Sequence, residues 1–274
     1  MRSVVAVVCL VGAGCDVVWR LDDVSGGISD APRAVDAPSD GDDPCPWGPR
    51  VQISAGGGNH DPQLSEDGLE LFFVRGASGT YDIWRAVRTD VSQPFPMGVE
   101  VAELSSSVED TDPTLAAGGN TIVFKSTRGG TGNHAWLATR SGRGQPFTIP
   151  VMLTGVPATV AGVDLSADGL TLYVDDGGKL VSVTRIAGST TFMNEKTLTL
   201  ERTQYPSVSA DGLELYYNGA GVVRRKRQTT NDMFDPASLV QIDDGAADPD
   251  LTFGGTRLVM TGAGIVYVRE RCAP

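Results

Sequence analysis

The chain has 274 residues, with 34 acidic against 22 basic side chains, a formal net charge of −12 and two histidines. That balance argues against a surface built for nucleic acid or anionic membrane. His60 and His134 have no spaced Cys or Asp partners of the kind zinc or iron sites use. No Walker, Rossmann or G-x-S-x-G pattern occurs, so no cofactor is implied.

Residues 3–11 are apolar, follow Met1-Arg2, and are too short to span a bilayer. With Gly12, Ala13 and Gly14 before Cys15 they read as a signal peptide over residues 1–14. The stretch resembles the bacterial lipoprotein signal, although Gly12 stands where that family usually has leucine. The resemblance makes Cys15 the lipidation site and implies a lipid-anchored protein of the cell envelope, otherwise a secreted or periplasmic one. Residues 15–44 hold eight aspartates among Pro, Ser, Gly and Ala. They bury too little apolar surface to repay ordering and read as an acidic tether.

Residues 45–274 are organised by one phrase that returns five times: 61–73 (DPQLSEDGLELFF), 112–124 (DPTLAAGGNTIVF), 162–173 (GVDLSADGLTLY), 205–217 (YPSVSADGLELYY) and 248–260 (DPDLTFGGTRLVM). Leu64, Leu115, Leu165, Val208 and Leu251 hold the same place in each, at steps of 51, 50, 43 and 43 residues. Such a period marks a solenoid or propeller. Each unit reads as a short strand, a Gly turn, an apolar strand, a second turn and an alternating third strand, with a fourth near Val99 in the first unit. Four strands per unit make a blade, so the expected fold is an all-β, five-bladed propeller of four-stranded antiparallel blades.

Arg88, Arg140, Arg185, Arg227 and Arg271 end the third strands, and Trp84, Trp136, Val181, Val223 and Tyr267 lie four residues earlier. The apolar set suits inter-blade packing, and the arginine stems suit cover for blade edges. The last unit lacks a fourth strand, and the first is preceded by an orphan strand near residues 51–53. Pairing these with residues 265–269 closes the ring. Cys45 and Cys272 flank that pairing, which predicts a disulfide between them in an oxidising compartment.

The phrases DPQLSEDGLELFF, GTYDIW and YPSVSADGLELYY resemble the TolB-like, WD-like propeller repeats of bacterial envelope proteins. The resemblance implies the fold. Five repeats, against six blades and an added domain in TolB itself, leave TolB's own role untransferred. Repeats two and five depart from S-x-D-G with Gly118-Gly119 and Gly254-Gly255.

Asp61, Asp112 and Asp248 precede the innermost strands, and Asp164 lies near the same place. They are the candidates for holding a ligand or metal in the central channel. The alternative is that each caps the turn entering its strand. Carboxylate pairs of this kind serve glycosidases, and five-bladed glycosidases resemble the arrangement in outline. Ser65, Ser166 and Ser209 with Asp67, Asp168 and Asp211 read as turn residues. Arg224, Arg225, Lys226 and Arg227 form a basic run, a candidate patch for an acidic partner, or a solvated strand with stems laid on its neighbours. The expected function is a non-catalytic, monomeric envelope scaffold. It would bind an unidentified envelope protein or cell-wall polymer, attached to membrane through its lipid and not binding nucleic acid. The alternative is a carbohydrate-active or metal-binding propeller using channel aspartates.

Overall fold

A computed structural model describes residues 43–54 and 56–272. The expected signal peptide and Cys15 lie outside the described residues. Among the described residues twenty strands form five four-stranded antiparallel sheets. Blade one holds β2 (His60–Leu64), β3 (Glu70–Arg75), β4 (Asp82–Val87) and β5 (Val99–Glu100). Blade two holds β6 (Asp110–Leu115), β7 (Thr121–Ser126), β8 (His134–Thr139) and β9 (Val151–Met152). Blade three runs β10 (Gly162–Leu165), β11 (Thr171–Asp175), β12 (Leu180–Thr184) and β13 (Met193–Thr197); blade four runs β14 (Gln204–Val208), β15 (Glu214–Gly219), β16 (Gly221–Lys226) and β17 (Val240–Asp243).

Blade five takes β18 (Ala247–Leu251), β19 (Arg257–Gly262) and β20 (Ile265–Glu270) from the end of the chain and β1 (Val51–Gln52) from its start. Val51 pairs with Val268 and Gln52 with Tyr267, as the orphan strand predicts. The next residue stitches two blades. Ile53 N–H donates to Val266 O at 3.0 Å, and its carbonyl accepts from Phe95 N of blade one at 2.6 Å. Cys45 and Cys272 form a disulfide across this closure, 227 residues apart in sequence. The outer strands of blades one, two and five have only two residues each, shorter than the sequence suggests. Short outer edges also leave little unpaired backbone for aggregation.

The core lies between blades. Among the described residues five clusters of buried side chains occur, and each joins two neighbouring blades. Phe72 and Ile83 of blade one, for example, pack with Leu115, Ile122 and Phe124 of blade two. Trp84 and Trp136 pack against two of these clusters, in the inter-blade role their spacing predicts. A single blade would expose both of its apolar faces, so the ring must close before any blade is stable.

The arginines that end the third strands do more than cover edges. Each donates Nε to the carbonyl of the turn glycine in its own blade: Arg88 to Gly68, Arg140 to Gly119, Arg185 to Gly169, Arg227 to Gly212 and Arg271 to Gly255, at 2.6–2.8 Å. Each guanidinium also lies over an aromatic ring. In blades one to four that ring is seven residues on: Phe95, Phe147, Phe192 and Phe234. In blade five Trp47, from the N-terminal side, takes that place, 4.6 Å from Arg271. The closing segment therefore brings a strand, an aromatic platform and a cysteine to the same blade.

Candidate functional site: the carboxylate-lined channel

Each innermost strand is an edge strand. Its backbone N–H groups alternate between the second strand and the channel. Ser65 N–H, for instance, bonds Glu70 O of β3, while Leu64 N–H points away and needs another acceptor. The residue just before each repeat anchor provides one, for the blade that follows it. Gln63 Oε1 accepts from Leu115 N (3.1 Å), Thr114 Oγ1 from Leu165 N (2.9 Å) and Asp164 Oδ2 from Val208 N (2.7 Å). Ser207 Oγ accepts from Leu251 N (2.9 Å), and Asp250 Oδ2 from Leu64 N (3.2 Å), which completes the circle. Five side-chain-to-backbone bonds thus tie every blade to the next. The residue types differ, but each carries an acceptor oxygen at the same place.

Asp164 belongs to this ring and not, as its sequence neighbourhood suggests, to the set of Asp61, Asp112 and Asp248. Those three stand two positions earlier, where blade three has Gly162 and blade four Tyr205. Asp61, Asp112, Tyr205 and Asp248 have φ of 45°, 56°, 52° and 53°, the left-handed region that side chains seldom adopt. Each precedes a proline, and in each of these blades the pairing of the first two strands shifts register at that step. Proline has no N–H for the ladder, and a bulge absorbs the loss. Blade three has Gly162-Val163 instead and keeps a regular ladder. A Cβ on Gly162 would lie 2.9 Å from Pro206 Cδ and 3.4 Å from Asp112 Oδ2, so its glycine makes room for its neighbours.

The left-handed bulges turn these side chains along the channel. Asp61 Oδ2 accepts from Asp112 N (3.1 Å) and Asp112 Oδ2 from Val163 N (2.7 Å). Asp248 accepts from Asn218 Nδ2 and Thr261 Oγ1. Cross-blade bonding, rather than capping of their own turns, occupies Asp61 and Asp112. Asp112, Asp164, Asp248 and Asp250 are all at least nine-tenths buried. Burial holds the Asp164 carboxyl up at about 7 and the Asp112 carboxyl at about 6, the latter with Lys125 opposing. Asp61 is raised well above the usual carboxylate range by burial and by the nearby charges of Asp248 and Asp112. Burial likewise raises Asp250.

Between the two rings the channel leaves about 20 Å³, room for about one water. At the end where the innermost strands begin it opens into a cavity of about 280 Å³ lined by Asp61, Asp248, Glu109, Lys125, Tyr81 and Tyr205, among others. Lys125 Nζ donates to Ala161 O at 2.9 Å and lies 5.6 Å from the centre of the Tyr205 ring. The charge of Asp61, then burial, raises the Tyr205 hydroxyl above its ordinary range. Tyr81 meets His60 edge to face at 5.6 Å. The opposite mouth is a cavity of about 290 Å³ where Arg143 pairs with Asp67. Burial alone would raise Asp67, but bonds from Arg143 and Ser65 outweigh it and hold the carboxyl at about 2. Among the described residues no group of three or more His, Cys, Asp or Glu side chains is placed to hold a metal ion.

The turn residues sit as S-x-D-G predicts. Ser65 donates to Asp67, Ser166 to Asp168 and Ser209 to Asp211, and each Asp accepts the N–H two residues on. The basic run is divided among separate contacts. Arg224 pairs with Asp43, Arg225 with Glu201, and Arg227 is buried on Gly212 and Phe234. Only Lys226 of the four is exposed, beside Glu214 and Asp43. Sequence reasoning missed Tyr205, Lys125 and Asp250. Tyr205 occupies the aspartate register before a proline, which was a readable signal; Lys125 had none.

No model of a known protein family matches the chain, and no curated protein matches it. Among solved structures, the α-L-arabinofuranosidase of Podospora anserina in complex with cellotriose superposes with a TM-score of 0.58 at 12% identity, covering 84% of this chain and 98% of that one. TolB from Acinetobacter baumannii aligns at 0.43 and 16% identity over 80% of this chain, which spans 44% of TolB's length. A putative TolB from Agrobacterium tumefaciens aligns at 0.48 and 18% identity, covering 76% and 72%. At these identities the likeness is one of fold: this chain is a five-bladed propeller.

Proposed function

We propose that this chain is a non-catalytic binding module of the bacterial envelope. In this reading it is a monomeric, lipid-anchored disc that offers its surface to an envelope protein or a cell-wall polymer. The observation that carries it is the use made of the channel carboxylates. Asp112 and Asp164 each spend an oxygen on a backbone N–H of the next blade, and so do Asp61 and Asp250. Groups so tied hold the disc rigid. The narrow channel between them leaves no room for a substrate to pass, so recognition falls to the faces and mouths. Co-sedimentation with purified cell-wall polymer and crosslinking in envelope preparations test this, with Asp61→Asn and Asp248→Asn proteins as controls. Retention of one component by the parent but not the controls is the expected result. A glycan turned over in an Asp61- or Asp112-dependent way would sink it.

That last outcome belongs to a second reading, a carbohydrate-active propeller. It is favoured by one observation: Asp61, with raised proton affinity, lines an open cavity, and Asp112, also raised, lines the narrow channel space that adjoins it. A carboxyl that keeps its proton near neutral pH is suited to act as a general acid.

A further inference from the structure

The cavity where the innermost strands begin has a composition that the ring-tying bonds do not explain. Asp61, Asp248 and Glu109 line it, with Lys125 the one Lys or Arg among its lining residues. Asp112 stands just beneath, on the channel floor, with Asp61, Tyr205 and Asp248 bordering both spaces. Asp112 is 7% exposed; Oδ2 is spent on Val163 N–H, and Oδ1 accepts no hydrogen bond from any described residue. That oxygen opens onto the channel space, where it is free to accept from a water or from a donor group in the cavity above. The mutual repulsion of Asp61, Asp112 and Asp248, only partly opposed by Lys125, points the same way. The walls are aromatic: Tyr205 on one side, and Tyr81 packed edge to face with His60 on another.

We propose that this mouth binds an organic ammonium group, the end of an alkylamine or of a lysine-like side chain. Carboxylates supply charge-assisted acceptors, and tyrosine faces attract a cation and cover its aliphatic stem. Lys125 already demonstrates the preference from within: its ammonium is held against the Tyr205 ring and Ala161 O. The carboxylates are too dispersed to close round a bare metal ion. A cavity of about 280 Å³ instead suits a cation with a short carbon chain.

The proposal rests on reading the mouth as a place of binding. Titration calorimetry of the full-length protein in detergent at pH 8, where more of Asp61 is ionised, tests it with cadaverine, N-acetyl-lysine amide, pentanediol and calcium chloride. Both amines should bind, and pentanediol about tenfold more weakly or not at all. Asp61→Asn keeps an acceptor for Asp112 N–H and should weaken the amines by about tenfold. Lys125→Met removes the competing cation and should tighten them. Circular dichroism melts establish that each variant folds; if Lys125→Met does not, the Asp61→Asn comparison decides alone. Binding of cadaverine only assigns the group to a free polyamine, and binding of both assigns it also to a lysine of a partner; either supports the proposal. No amine binding, equal binding of the diol or calcium, or amine binding unchanged by Asp61→Asn overturns it. An amine recovered chemically altered would leave the ligand class standing and overturn the non-catalytic reading instead.

Discussion

Asp164→Asn isolates the cost of keeping a carboxylate in the channel. Asp164 is buried in the ring, accepting from Val208 N–H and Thr114 Oγ1–H. Asparagine keeps the acceptor for Val208 and turns an amide N–H toward Thr114 Oγ1, so the variant removes the charge and reverses one hydrogen bond. In the folded protein the carboxyl titrates at about 7, against an ordinary value of 3.8. The folded state therefore holds this proton more tightly than the unfolded chain does. Above about pH 7 the folded protein carries the full penalty of an ionised buried group, and the penalty falls away as pH drops from there toward 3.8. Integrating between these values gives the parent protein a gain of about 2–3 kcal/mol over Asp164→Asn between pH 8 and pH 5. Burial and then the Asp164 charge raise the Asp250 carboxyl, so Asp250 is eased in the variant and the difference between the two curves reports Asp164 together with this neighbour. Urea unfolding of both proteins at intervals from pH 8 to pH 5 measures it. The variant should be the more stable at pH 8, with its advantage shrinking steadily toward pH 5. A difference that stays constant across that range would refute the reasoning.

Three further outcomes follow from the packing. Glu70 is fully buried and receives Arg140 through bonds of 3.0 and 2.5 Å, with Arg85 also paired to it, so Glu70→Ala should cost about 3–5 kcal/mol in denaturant unfolding by stranding two guanidinium groups. Replacing Cys45 and Cys272 by serine should cost roughly 2–4 kcal/mol, lowering the melting temperature without changing the far-ultraviolet spectrum. Trp47→Ala should cost about 3–5 kcal/mol, because it empties a site 6% exposed that supplies blade five with its only partner ring for Arg271 among the described residues.

Much of this was readable because the repeat superposes the chain on itself. Five anchors at steady spacing, a Gly turn after each and an unpaired strand at either end left few ways to close a ring. The Arg and Phe seven residues apart recur in four blades, so the stacked platform was also written there. Asp-Pro and Tyr-Pro steps mark the bulges in the same way, since proline leaves the ladder short of a donor. The inter-blade ring was harder to see. Gln63, Thr114, Asp164, Ser207 and Asp250 share an acceptor oxygen and no residue type, and their partners lie about 44–52 residues onward, or 186 back for Asp250. Asp164 was drawn toward the other aspartates by its side chain, when its backbone position places it with Ser207. Lys125 reaches the mouth from a second strand whose local sequence carries no mark of it.

The ring itself is open to direct measurement by amide hydrogen exchange. In each innermost strand the anchor N–H turns away from its sheet, so its protection depends on the side chain offered by the preceding blade. The amides of Leu64, Leu115, Leu165, Val208 and Leu251 should exchange as slowly as those in the middle of β3 and β7, and Thr114→Val should release Leu165 selectively. Anchor amides that exchange as fast as the turn residues in the parent protein, or a Leu165 amide indifferent to Thr114→Val, would contradict it.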